Sequence, residues 1–124
     1  MHITTTLITE TPNGKETISQ TFEGTLQQQG GLTLLTYNDP ELGATRLFIH
    51  PDRVKLVRKG AFTTQMIFQP NATTHSDYHT PNGTFDMGIT TILLTQTPNT
   101  LNIHYTLHLN GEAVAQNELT LKWQ

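Results

Sequence analysis

The sequence predicts an all-β fold: a single closed or nearly closed antiparallel up-and-down barrel of eight to ten strands spanning residues 1–124. Three observations carry this expectation. Turn signals recur every 8 to 12 residues or so, the spacing of an antiparallel barrel or sandwich. Threonine makes up about one residue in five, and its β-branched, polar side chain suits the wet face of a strand. No window keeps apolar residues at i, i+3, i+4 and i+7 for more than about a turn, so no helix is expected.

Taken in order, the turn signals are Pro12-Asn13-Gly14, Gly30-Gly31, Asn38-Asp39-Pro40, His50-Pro51-Asp52, Gly60, Pro70-Asn71, Pro81-Asn82-Gly83, Pro98-Asn99 and Asn110-Gly111. Between them strands are expected near 2–11, 15–23, 31–37, 44–50, 53–59, 62–69, 73–80, 84–96, 100–109 and 112–122. The stretch from Gly83 to Thr97 would run about 50 Å if straight, longer than a small barrel is tall, so a bend is expected, with Gly88 as its natural place. Asn110-Gly111 separates two alternating arms and predicts a two-residue type I′ hairpin, because both central residues there need positive φ. Leu101, Ile103, Tyr105, Leu107 and Leu109 share one face of the first arm. On the return arm Ala113, Ala115, Leu119, Leu121 and Trp123 share a face interrupted by Asn117. Short connections throughout favour a meander whose closure removes open edges, over a two-sheet sandwich with crossovers.

Composition narrows function mainly by exclusion. A net charge of −3 and a pI near 6.0 leave no electrostatic footprint for nucleic acid. The densest basic run, Arg53 to Lys59, alternates like a strand with a basic solvent face. With no cysteine, disulfides, thiolate chemistry and cysteine-based zinc sites are absent. The segment Met1–Glu10 shows neither a basic region nor a long apolar run, and no stretch approaches the ~20 apolar residues of a membrane span, so a cytoplasmic, non-membrane protein is expected. The sequons at Asn71 and Asn82 read as turns rather than glycan sites.

The run Val54-Lys55-Leu56-Val57-Arg58-Lys59-Gly60, then Met66-Ile67-Phe68, Tyr78-His79-Thr80 with Gly83 three residues on, Thr90, and Tyr105-Thr106-Leu107 resembles the bacterial YwiB-like family, a domain of unknown function (DUF1934). The match runs in order over about Val54 to Leu121. Before it, only strand character and the segments Gly24-Thr25-Leu26 and Leu35-Thr36-Tyr37 correspond. The resemblance implies a calycin-like, lipocalin-type barrel and supplies no activity.

Arg58 is the most informative single residue. Alternation places it with Val54 and Leu56 on the inward face, away from Arg53, Lys55, Val57 and Lys59. An inward guanidinium keeps its charge and must find a carboxylate, carbonyls or an aromatic face. It could close one end of the barrel, stacked on Trp123 or a tyrosine, as an arginine does in lipocalin-type barrels. It could instead receive the carboxylate or phosphate of a ligand, flanked by Tyr78 or Tyr105. A register slip would put it in solvent.

His75, Asp77 and His79 alternate on one face with neighbours ~7 Å apart, too spread for one ion to take all three, so no metal site is expected. Ser76 points away from His75 and Asp77, and no nucleophile, phosphate-loop or dinucleotide motif occurs, so no catalytic residue and no cofactor are assigned. The leading expectation is a small-ligand binding module for an apolar or carboxylate-bearing molecule, with Arg58, Met66, Phe68, Tyr78, Met87 and Tyr105 lining or closing the interior. A barrel with a filled core, serving as a structural or interaction protein, is the first alternative. An enzyme on the same barrel, without a recognisable motif, is the second.

Overall fold

The computed structural model describes residues 1–124. Ten strands follow one another: β1 (His2–Thr11), β2 (Gly14–Gln29), β3 (Leu32–Asp39), β4 (Gly43–Ile49), β5 (Val54–Lys59), β6 (Thr64–Phe68), β7 (Thr73–Thr80), β8 (Gly83–Thr97), β9 (Thr100–Leu109) and β10 (Glu112–Trp123). They form one antiparallel sheet in the order β6-β5-β4-β3-β2-β1-β10-β9-β8-β7, in which every strand but β6 neighbours the next in sequence and β1 joins β10. Short turns permit this order, because an antiparallel pair needs only a tight loop.

The two ends of the sheet meet at β6 and β7. Thr63 and His79 exchange backbone hydrogen bonds of 3.0 Å in both directions. Further along the seam the hydroxyls of Thr74 and Ser76 donate to the carbonyl oxygens of Ile67 and Gln65. Side chains thus take over where the backbone ladder stops, and the barrel is nearly closed. Inside it the apolar face of every long strand contributes to one core, from Ile3 through Leu35, Leu47, Val54, Phe68, Ile89, Leu101 and Ile103 to Trp123.

The terminal hairpin follows the alternation. Asn110 and Gly111 have φ of 50° and 85°, as a type I′ turn demands. Tyr105 is buried and Leu107 half-buried, packed on the core. A bulge between Ala113 and Ala115 inserts Val114 and puts Ala113 out of phase with the inward row.

Two differences from the sequence expectation have physical causes. The irregularity in β8 falls at Ile92, not at Gly88: the register with β9 shifts between Thr91 and Leu93, and the bulged Ile92 is 60% exposed. Phe85, Met87, Ile89 and Thr91 therefore keep one parity, and Leu94 regains the inward face after the bulge. Gly88 continues the ladder, between His75 and His108.

The second difference is β2, which continues six residues past the expected end at 23 to Gln29. Its first half, Gly14–Glu23, pairs with β1, and from Gly24 onward it pairs with β3 instead. Sixteen residues in a straight line would span roughly 50 Å, so the strand turns a corner at Gly24. The corner leaves no room for a side chain: a Cβ there would lie 2.3 Å from Ile3 Cδ1 and 2.4 Å from the Thr36 carbonyl oxygen. Replacing Gly24 with alanine should cost about 2 to 3 kcal/mol in urea unfolding, since the backbone oxygen has nowhere to move. Gly31→Ala, whose nearest foreign atom is 3.8 Å away, should be near neutral. Equal effects at the two glycines would remove the corner from the account.

Candidate functional site

Where β2 leaves β3, the barrel wall parts and a cavity of about 120 Å³ opens beside the core. Inward residues supply its lining: Thr5 and Leu7 from β1, Ile18 and Gln20 from the first half of β2, Leu119 and Leu121 from β10. Tyr37 and Asp39 from β3, Leu42 from the following turn, and Leu56 and Arg58 from β5 complete it. The wall is mostly aliphatic, with one cation.

A register row fixes that cation. Gly24 faces Tyr37, Tyr37 faces Thr45 and Thr45 faces Arg58, which places the guanidinium level with the β2 corner. Thr45 is fully buried; its hydroxyl donates to the Gly43 carbonyl at 3.2 Å and accepts from Arg58 Nε, also at 3.2 Å. Arg58 itself is half-buried and takes part in none of the chain's ion pairs, which join the amino terminus and His2 to Glu23, His75 to Asp86 and His104 to Glu118. Asp39 shares the cavity wall, but its Oδ1 accepts from the backbone N–H groups of Glu41 and Leu42 at 2.8 and 3.1 Å. It caps its own turn, as an aspartate at this place in a turn does.

Two tyrosines feel the arginine. Burial pushes the Tyr37 hydroxyl above its usual value of 10.0, and the adjacent Arg58 charge pulls the other way. Tyr105, deeper in, is pushed up to about 12 by burial, with the neighbouring Asn117 amide and then Arg58 acting in opposition. A guanidinium bonded to the Thr45 hydroxyl, with the Tyr37 hydroxyl beside it and no ion pair to a carboxylate, keeps donors able to grip a carboxylate in a fork.

The residues singled out from the sequence divide. Only Arg58 borders this cavity. Phe68 and Tyr105 pack edge to face with ring centroids 4.9 Å apart; Met66 and Met87 lie buried in the same core, and Thr64 Oγ1 donates to Met87 Sδ at 3.6 Å. Tyr78 is half-buried against Phe62, with centroids 6.2 Å apart. Arg58 stacks on none of Tyr78, Tyr105 or Trp123; the aromatic beside it is Tyr37, which itself stacks on Phe22 at 4.8 Å. Tyr37, Asp39, Thr45, Ile18 and Gln20 are candidate-site residues that strand-by-strand reading does not reveal, because only pairing across strands gathers them.

The two histidines of β7 do not converge. His75 Nδ1 lies 3.5 Å from Asp86 and His79 Nδ1 lies 3.1 Å from Thr84 Oγ1, so the side chains on β7 part toward separate partners. A hollow of about 380 Å³ beside Phe48, His50, Arg53 and Lys55 lies on the solvent face of β4 and β5, with the Lys55 ammonium 6.0 Å from the Phe48 ring. No helix is long and apolar enough to cross a membrane.

A family model described as a domain of unknown function (DUF1934) matches residues 1–121. The match covers the first fifty residues, where the sequence offers little beyond strand character. Among solved structures, the crystal structure of the ywiB protein from Bacillus subtilis superposes with a TM-score of 0.78 at 16% identity, covering 99% of this chain and 90% of that one. It shares the barrel fold. No curated protein matches the chain.

Tyr105 makes a pH test of this interior. Between pH 10 and about 12 the unfolded chain has lost the phenolic proton while the folded one retains it, so stability falls as pH rises through that window. The loss should be about 2 to 3 kcal/mol in urea titrations, and Tyr105→Phe should abolish most of it. An unchanged pH slope in that variant would place the hydroxyl in water.

Proposed function

The chain belongs to the DUF1934 family, and we propose that it is a binding module which takes a small carboxylate-bearing molecule into the cavity at the β2 corner, with Arg58 as the anion-capturing group. The observation that carries this reading is the arginine's bonding: a half-buried guanidinium in a mostly aliphatic wall, with a Thr45 hydroxyl on Nε, the Tyr37 hydroxyl beside it and no protein carboxylate paired to it. Leaving a charge partly withdrawn from water with no carboxylate partner carries a cost. A bound carboxylate would relieve that cost with two charge-assisted hydrogen bonds.

Volume sets the size of what enters. Drug-sized ligands occupy roughly 300 Å³ or more, and this cavity of about 120 Å³ accepts a short branched acid or the end of something longer. The first alternative, a barrel with a filled core and no ligand, is favoured by one observation: Met66, Phe68, Met87 and Tyr105 fill the interior. Chemistry has less support, because the displaced titrations belong to tyrosines rather than to a pair of carboxylates.

Titration with 3-methylbutanoate separates these readings. We expect saturable, millimolar binding with shifts in the Leu7 and Leu119 methyl signals and the Arg58 Nε–H, no response to the neutral 3-methylbutanol, and loss of binding in Arg58→Met with the fold retained. Equal response to acid and alcohol, or binding that survives Arg58→Met, would leave the filled barrel as the better description.

A further inference from the structure

We propose that the molecule carrying this carboxylate is a peptide: its extended carboxyl-terminal segment adds as a strand to the open edge of β2 and places its terminal carboxylate on Arg58. This rests on the carboxylate reading above and names the partner class.

The edge follows from the corner. From Gly14 to Glu23, β2 has β1 on one side and no strand on the other, since β3 joins it only from Gly24 onward. The Gly24 N–H donates to the Met1 carbonyl at 3.0 Å, so even-numbered residues of this half turn their backbone groups toward β1. Lys15, Thr17, Ser19 and Thr21 therefore turn theirs away, to the open side. Every residue from Gly14 to Thr21 is exposed.

Natural sheets blunt such edges with charges, proline or bulges. Thr17-Ile18-Ser19-Gln20-Thr21 carries none of them, and its register with β1 runs without a break from Glu23 to Gly14. Ile18, 44% exposed, offers apolar surface at the same place. Ile18 and Gln20 also line the cavity that holds Arg58, so edge and cation belong to one continuous surface. A cavity of about 120 Å³ is too small for a whole ligand of ordinary size and suits one terminal side chain.

Direction can be read from the register. Arg58 lies on the row of Gly24, Tyr37 and Thr45, at the corner end of the edge. A bound peptide would have its carboxylate there and its amino-terminal part toward Gly14, hence parallel to β2. About five residues at ~3.3 Å each cover Thr17 to Thr21, and the Arg58 side chain, which lines one cavity with Ile18 and Gln20, reaches back along the edge to the last of them. Main-chain hydrogen bonds to the edge would give affinity, and a small branched last side chain between Leu7 and Leu119 would give specificity.

The test uses the full chain and the pentapeptide acetyl-Lys-Thr-Val-Thr-Val with a free carboxylate, its carboxamide twin, and 3-methylbutanoate, followed by fluorescence anisotropy and amide shifts. The acid peptide should bind at least tenfold more tightly than 3-methylbutanoate and than the carboxamide, and it should shift the amides of Thr17, Ser19 and Thr21. Ser19→Pro removes an N–H that makes no bond to β1; it should weaken the peptide at least tenfold and leave 3-methylbutanoate unchanged. A peptide no tighter than 3-methylbutanoate, or one indifferent to Ser19→Pro, overturns the strand addition while leaving the carboxylate site standing; loss of all three probes removes both. A concentration-dependent dimer abolished by Ser19→Pro gives the edge to a second copy and overturns the proposal. Should Ser19→Pro fail to fold, the shift pattern and the acid-to-carboxamide ratio in the unaltered chain decide.

Discussion

One strand has to serve two ladders, and the single residue that lets it do so governs the rest of the barrel. β2 pairs with β1 on one side of Gly24 and with β3 on the other, and a side chain at the corner would collide with both Ile3 and the backbone of β3. Close approach without a Cβ brings Ile3 over the end of the core, where Phe22 then stacks on Tyr37. The same turn peels Gly14–Glu23 away from β3. An opening in the wall, a strand without a second neighbour and a cavity between them follow from one backbone geometry.

Charge enters that opening in a controlled way. Thr45, fully buried, links the Gly43 carbonyl to Arg58 and so transmits the geometry of the β3–β4 turn to the guanidinium. Asp39, the acid in the same wall, gives its Oδ1 to the backbone of that turn and makes no ion pair with Arg58. The arginine is thus oriented but not neutralised. Deeper in the barrel the Phe68–Tyr105 contact and the aliphatic rows fill the interior, so function, on this account, is confined to one end.

Much of the fold is written in short-range signals. Turn residues and period-two alternation give all ten strands, and the Asn110-Gly111 hairpin follows from backbone sterics alone. The errors share a cause: alternation reports which face a residue takes and says nothing of which neighbour it pairs with. Gly24 followed by the polar Gln27-Gln28-Gln29 run reads as the end of a strand, whereas it is the transfer from one partner to another. Gly88 reads as a bend because glycine often marks one, yet Ile92 supplies the bulge. Arg58 is legible because an inward cation breaks an apolar row. Its companions Tyr37, Asp39 and Ile18 are ordinary strand and turn residues until three separate strands bring them together with it.

Amide hydrogen exchange along β2 tests the central claim most directly. Backbone groups bonded to β1 should be protected and those facing the open side should not, so Ile18, Gln20 and Phe22 should exchange slowly while Thr17, Ser19 and Thr21 exchange near the rate of free peptide. A difference on the order of a hundredfold between the two sets is the predicted result, since an edge N–H is exposed without any opening of the fold. Uniform protection from Thr17 to Phe22 would mean that a strand already lies against this edge, and the account of an open corner beside Arg58 would be wrong.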